Sequence, residues 1–223
     1  MTVQNTLGVT ATHKVPPDIV REQIAATLSD IGADAVKTGM LGSAAMVETV
    51  AEALAAYAPG IPLVVDPVMV AKGGAALLDD DAVAMLKVRL LPMAALLTPN
   101  LPEAGRLFGF TPRMPEDTGR IEAAMRDLGI RALLLKGGHG DDADTVTDWL
   151  FTADGVTPRT LPRQDTRHTH GTGCTLASAI ACGLALGLPL ADAVHRAQDY
   201  VQTAIRTAPG LGRGHGPLNH SPH

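Results

Sequence analysis

The sequence predicts an α/β domain: a mostly parallel central β-sheet with helices on both faces, in a doubly wound arrangement. Three observations carry this expectation. Short, almost continuously apolar segments such as IPLVVDPVM and RALLLKGGH have the pattern of strands buried on both faces. Between them lie Ala-rich or amphipathic segments of helical periodicity, so strand, loop and helix alternate along the chain. The 223 residues are 46% hydrophobic and 18% charged, enough for a core and a poor description of disorder, collagen or coiled coil. The length suits one domain over 1–223.

Residues 16–31 place Ile19, Val20, Ile24, Leu28 and Ile31 at helical spacing, with two prolines suited to the first turn. Residues 33–41 read as a short strand running into a Gly turn, and 43–57 as a helix capped by Ser43. A strand over 61–69 contains Asp66-Pro67; a helix at 80–91, a strand at 94–100, helices at 101–109 and 115–129 and a strand at 131–139 follow. DWLF and GVTPRTL read as an antiparallel pair, a small flap with Trp149 and Phe151 packed in its core. Helices at 171–187 and 189–206 close the pattern, and the Gly/Pro/His-rich residues 209–223 read as an irregular tail.

The net charge of −5 and the scatter of basic residues argue against nucleic acid as a partner. The two cysteines, Cys174 and Cys182, exclude a disulfide framework. On one helix they would lie about 12 Å apart along the axis, too far to bridge. A reducing, cytoplasmic location is expected, and the start MTVQNTLGV lacks the basic-then-apolar pattern of a secretion signal. Residues 171–191 carry no formal charge, but Gly, Thr, Ser and Pro interrupt them, so they read as a core helix and not as a membrane span.

Parallel sheets bind ligands beyond the carboxyl ends of their strands. The residues there are Gly39-Met40, Asp66-Pro67, Thr98-Pro99-Asn100 and Lys136-Gly137-Gly138. GTGCT at 171–175 opens a helix with two glycines, an anion hole in which outward N–H groups and the positive helix end can hold phosphate oxygens. The same field is expected to lower the pKa of Cys174 and make it a base or nucleophile. The alternative is a small buried hydrophobe, which is the expectation for Cys182. Asp66 and Glu103 could hold Mg²⁺, and Lys136 could reach a phosphate. Glu103 also reads as a first-turn helix charge, and Lys136 as a solvated lysine. Neither a Walker motif nor a GxGxxG fingerprint is present. Asp141, Asp142, Asp144 and Asp148 lack the Gly and Glu of a calcium loop and read as a solvated loop. His168 and His170 lack a partner set for zinc and read as an ordered turn.

The strings VVDPVMVAKGG, LLTPNLPEA, LLLKGGH and HTHGTGCTLASAIA, in this order and at these separations, resemble the hydroxymethylpyrimidine/phosphomethylpyrimidine kinases of thiamine biosynthesis, members of the ribokinase-like superfamily. VQNTLGV, KTGML and GHGPLNH add to the resemblance, which runs from about Val3 to Ala208. Cys within HGTGCT, where most of the superfamily carries Asp, resembles this family and its pyridoxal-kinase relatives. The resemblance implies a ribokinase-like fold and ATP- and Mg²⁺-dependent phosphorylation of 4-amino-5-hydroxymethyl-2-methylpyrimidine, then of its monophosphate. It implies Cys174 as general base toward the hydroxymethyl group, with Gly171 and Gly173 cradling the transferring phosphoryl. Asp66 and Glu103 would organise Mg²⁺; Asn100, Lys136 and Thr172 would lie near the nucleotide phosphates; Gln4, Met40 and Val68 would line the pyrimidine pocket. The second phosphorylation, whose nucleophile is already ionised, should need Cys174 less. Relatives often pair as homodimers. They also carry a strand, a loop of the kind GxDxSGGAGIQADxK and a helix before the VQNT segment, so an N-terminally truncated chain of poor stability or activity is expected. Two alternatives stand beside this reading: a pyridoxal/pyridoxamine kinase and a catalytically silent nucleotide-binding fragment.

Overall fold

The computed structural model describes residues 1–70, 78–138 and 142–221. Thr2–Asn5 (β1) and Gly8–Thr12 (β2) form an antiparallel hairpin that the sequence pattern did not announce. Its turn is closed by Asn5, whose Oδ1 accepts from the Leu7 amide at 2.9 Å. Helix α1 (Pro17–Asp30) follows, entered through proline. Val20, Ile24 and Leu28 of the expected stripe pack on the core, whereas Ile19 and Ile31 are exposed.

The central sheet contains β3 (Val36–Thr38), β4 (Leu63–Val65), β5 (Leu96–Leu97), β6 (Leu133–Leu135), β7 (Thr145–Thr152) and β8 (Gly155–Pro162), in that spatial order. Pairs from β3 through β6 are parallel, and β6–β7 and β7–β8 are antiparallel. The parallel strands are shorter than the apolar runs that announced them, because only their central residues pair. His139, the end of the run expected at 131–139, lies outside the described residues.

Helices α2 (Ala44–Tyr57), α3 (Asp80–Met85), α4 (Leu101–Phe108) and α5 (Thr118–Asp127) pack on one face. Ser43 caps α2 by accepting from Met46 N at 3.3 Å, as expected. The helix expected over 80–91 continues past Met85 as a π turn, Leu86–Leu90, and a 3-10 turn, Leu91–Met93. Helices α6 (Thr172–Ala185) and α7 (Leu190–Arg206) cover the other face. Strand alternation divides the core accordingly: Leu63, Val65, Leu97, Leu133 and Leu135 face α2–α5, and Val64, Leu96 and Leu134 face α6 and α7.

Helices cover both faces, as expected, but not by double winding. Among the described strands the order follows the chain without reversal, and the second face is filled by α6 and α7, which follow β8 in the chain. The antiparallel pair is likewise no separate flap. It extends the main sheet, carrying Phe151 into the core at 1% exposure, with Trp149 packed against it. Pro158 is tolerated in β8 because that strand is the edge.

A Cβ at Gly183 would come within 2.8 Å of Ala193 Cβ, so glycine is what lets α6 and α7 approach. Leu176, Ala177, Ile180 and Ala181 supply the inward face of α6, which turns Cys174, Ser178 and Cys182 outward. Cys182 is therefore exposed and not the buried hydrophobe expected. Residues 209–221 form no helix or strand, yet Leu218 is buried and the His215 amide donates to Thr6 O at 2.8 Å, tying this segment to the β1–β2 hairpin. Among the described residues no helix is long and apolar enough to cross a membrane.

Candidate active site

Parallel pairing aligns the carboxyl ends of β3 to β6, and the chain continues this alignment one step beyond the strands. Asp66 N donates to Thr38 O at 3.0 Å, Thr98 N to Val65 O at 3.0 Å and Lys136 N to Pro99 O at 2.9 Å; Asn100 and Lys136 form an isolated parallel bridge. The side chains that follow converge on one carboxylate. Asp66 is 2% exposed; its Oδ1 lies 3.2 Å from Lys136 Nζ and its Oδ2 3.6 Å from Lys37 Nζ.

Lys136 also reaches Glu103, with Nζ 3.9 Å from Oε2. Glu103 and Asn100 form a capping box at the start of α4: Asn100 Oδ1 accepts from Glu103 N and Glu103 Oε2 from Asn100 N, both at 2.8 Å. Both readings of Glu103, helix-end charge and site carboxylate, are thus visible in one side chain. Burial raises its pKa above the ordinary carboxylate range, and the Lys136 charge opposes this. Lys136 is not the solvated lysine of the alternative; its side chain is 14% exposed.

The fourth wall is the start of α6. Gly171 sits in the left-handed region at φ 84°, and among the described residues no side chain caps the first turn. Among the described residues the amides of Gly173 and Cys174 have no acceptor, as the first turn of a helix requires when no ligand or cap meets it. A Cβ at Gly173 would stand 3.2 Å from Lys136 Nζ, so the ammonium lies directly against this turn. Thr172 turns its hydroxyl into its own loop, donating to Thr169 O at 2.8 Å.

Cys174 is exposed on this turn, which removes the buried-hydrophobe alternative. Its pKa is not lowered as expected. Partial desolvation by the surrounding protein raises it; the nearby Lys37 charge opposes this, and the Asp66 carboxylate adds to it. The thiol is thus held protonated around neutral pH.

Lys136 is aimed from behind. A side chain at Gly137 would overlap the Thr147 carbonyl oxygen, so β6 and β7 can meet here only at glycine. The Gly137 amide donates to Asp148 Oδ1 at 2.9 Å, and Gln198 Nε2 of α7 donates to Asp148 Oδ2 at 2.8 Å. Asp148 belongs to β7 and its pKa is raised by burial, contrary to the solvated-loop expectation. Asp142 and Asp144 are exposed as expected, Asp142 accepting from Asp144 N and Thr145 N, and Asp141 lies outside the described residues.

Lys37, Asp148 and Gln198 were missed by the sequence reading. Lys37 had a signal, since it is a charged residue one place before a strand's carboxyl end, within KTGML; Gln198, one polar residue in a helix, had none. Of the three residues expected around the pyrimidine, Val68 is tied to this cluster through its backbone, its N–H donating to Asp66 O at 2.8 Å, whereas no hydrogen bond or ion pair among the described residues joins Gln4 or Met40 to it. Gln4 is exposed on the β1–β2 hairpin, Met40 is 39% exposed just beyond β3, and Val68 is half-buried two residues after Asp66. His170 N donates to Gly216 O at 3.2 Å, which fits an ordered turn, and His168 packs against Gly210 and Gly216.

Among the described residues no group of three or more His, Cys, Asp or Glu could hold a metal. Asp66 and Glu103 fit a hard cation that brings phosphate and water ligands of its own, as Mg²⁺ does with a nucleotide. Asp66 Oδ2, buried and without a hydrogen-bond partner among the described residues, is the acceptor such an ion would take.

Comparison with known proteins agrees with this geometry. A family model described as phosphomethylpyrimidine kinase matches residues 1–219. The chain is 50% identical over 223 residues to the thiamine biosynthesis bifunctional protein ThiED of Geobacter sulfurreducens, covering 99% of this chain and 44% of that protein, so it spans less than half of that relative's length. It is 47% identical over 227 residues to the hydroxymethylpyrimidine/phosphomethylpyrimidine kinase of Streptomyces coelicolor, covering 99% of this chain and 80% of the relative. Among solved structures, the pyridoxal kinase of Staphylococcus aureus in complex with ADP superposes with a TM-score of 0.87 at 32% identity, covering 100% of this chain and 80% of that one. The phosphomethylpyrimidine kinase of Clostridium difficile 630 gives 0.77 at 36% identity, covering 92% and 83%. Matched over nearly its whole length in sequence and superposing on the kinase fold, the chain belongs to the phosphomethylpyrimidine kinase family, within a ribokinase-like α/β architecture.

Proposed function

We propose that this protein uses ATP to phosphorylate hydroxymethylpyrimidine and then its monophosphate, the reactions for which its relatives are named. The observation that carries the reading is the convergence of Asp66, Glu103 and Lys136 on the uncapped first turn of α6, with Cys174 in that turn. Phosphoryl transfer asks a protein mostly for positioning and for charge placed where negative charge develops. Lys136 and the amides of Gly173 and Cys174 would meet the phosphate oxygens, and Gly171 and Gly173 keep side chains out of their way. Asn100 fixes Glu103 through the capping box. Asp66 and Glu103 would hold Mg²⁺, which when bound neutralises charge on the nucleotide phosphates. Cys174, through the thiolate fraction that its raised pKa leaves, would take the proton of the pyrimidine alcohol. Gln4, Met40 and Val68 are proposed for the pyrimidine and Thr172 for the nucleotide side. A homodimer is proposed from the family resemblance, for sedimentation to test.

A second reading is favoured by the fold likeness to the Staphylococcus aureus pyridoxal kinase, since pyridoxal also bears a hydroxymethyl group on a flat heteroaromatic ring. A coupled ADP-release assay with Mg²⁺·ATP and each acceptor separates the two. Turnover with the pyrimidine alcohol and its monophosphate supports the first reading. Turnover with pyridoxal alone supports the second, and the absence of ADP formation with every acceptor, in a protein that still binds ADP, supports a silent nucleotide-binding protein.

A further inference from the structure

We propose that Lys37 is the residue through which this site receives an already phosphorylated substrate, its ammonium taking the phosphate of the pyrimidine monophosphate in the second transfer. The inference rests on the function proposed above and assigns the binding determinant that separates its two steps.

Lys37 is the middle residue of β3, one before its carboxyl-terminal Thr38, with its side chain 18% exposed. Among the described residues its ammonium donates no hydrogen bond; the nearest anion, Asp66 Oδ2, is 3.6 Å away, and that oxygen has no hydrogen-bond partner either. A largely buried ammonium without an acceptor is costly, and an anionic ligand offsets the cost. Lys136 differs on every point. It is 3.2 Å from the opposite oxygen of the same carboxylate, contacts Glu103 and lies against the α6 turn, the place for nucleotide phosphates. One aspartate therefore holds two ammonium groups apart, and only Lys136 is committed.

The surroundings of Lys37 point to the acceptor substrate. A Cβ at Gly39 would stand 3.0 Å from Lys37 Nζ, so glycine leaves the ammonium its position, and Met40, proposed for the pyrimidine, comes next in the chain. Of the cations near Cys174, Lys37 acts on it most strongly, so its charge lies where the acceptor oxygen would react. In the second step an ionised oxygen of the substrate phosphate attacks the γ-phosphorus of ATP. The new P–O bond forms as the β,γ-bridging bond breaks, and ADP leaves with the electron pair. No proton has to be removed from the nucleophile, but two polyanions must approach one another, and a cation beyond those engaged by ATP lowers that barrier.

The test compares Lys37→Met and Lys37→Arg with wild type in single-substrate assays of each step at saturating Mg²⁺·ATP. Thermal melts and ADP binding confirm folding. Both steps slow in Lys37→Met, since its charge also acts on Cys174. The expected result is that kcat/KM of the second step falls about 10- to 100-fold further than that of the first, the scale of one charge-assisted hydrogen bond, mainly through KM for the monophosphate. Lys37→Arg restores the ratio. Equal losses in the two steps, or a ratio that Lys37→Arg fails to restore in a folded protein, overturns the inference while leaving the function proposal standing. A wild type inert toward both pyrimidines overturns the function proposal and this inference with it.

Discussion

Replacing Lys136 by methionine keeps the length and apolar stem of the side chain and removes one charge. What it leaves behind fixes the magnitude. Asp66 is 2% exposed and Glu103 is 7% exposed, and Lys136 Nζ contacts both, at 3.2 and 3.9 Å. Removing one partner of a buried ion pair costs roughly 3–5 kcal/mol, because the other charge stays buried and uncompensated. Lys37, 3.6 Å from the second Asp66 oxygen, remains as a partial partner, so the low end, about 3 kcal/mol, applies. For a chain of this size each kcal/mol lowers Tm by about 2–4 °C, giving a loss of about 6–12 °C by differential scanning calorimetry at neutral pH. The pH dependence has a definite sign. Burial raises the folded pKa of Glu103, so its protonated form favours the fold and its ionisation destabilises as pH rises through that pKa. Lys136 lowers that pKa, so its loss extends the destabilising effect to higher pH, and the gap between variant and wild type narrows on acidification. A Tm within about 2 °C of wild type, or a gap that widens toward acid, would refute the charge assignment.

Gly137→Ala should cost about 3 kcal/mol or more in a denaturant melt, because its methyl meets the Thr147 carbonyl and breaks the amide bond to Asp148; an unchanged melt contradicts the close approach drawn between β6 and β7. Burial raises the Cys174 thiol, so if thiolate is the base, kcat/KM for the alcohol should keep climbing at alkaline pH beyond the ordinary thiol range; a profile flat from neutral pH argues for another base. Gly173→Ala should raise KM for ATP more than KM for the pyrimidine, since the new methyl stands 3.2 Å from Lys136 Nζ; equal effects would separate that ammonium from the nucleotide.

The order of strands and helices was legible because buried parallel strands leave apolar runs that no loop imitates, and Ser43 was legible as a cap from local chemistry alone. Winding was not legible. Alternation of strand and helix is the same whether strand order reverses or not, and the placement of α6 and α7 depends on contacts distant in sequence. The site followed the same division. Asp66, Lys136 and the glycines of α6 announce themselves at strand ends and a helix start. Asp148 and Gln198 gain their role only when β7 and α7 meet behind Lys136. The Cys174 pKa failed in the expected direction because a helix end can be read from sequence, whereas the desolvation opposing it depends on what surrounds the thiol.

The claim on which the account turns is that Cys174 serves the neutral alcohol and not the ionised phosphate. Single-turnover rates of the two phosphorylations in Cys174→Ala test it most directly. The account predicts that the first step falls by about 10² or more while the second falls by less than a tenth of that factor. Losses of equal size in both steps would contradict it.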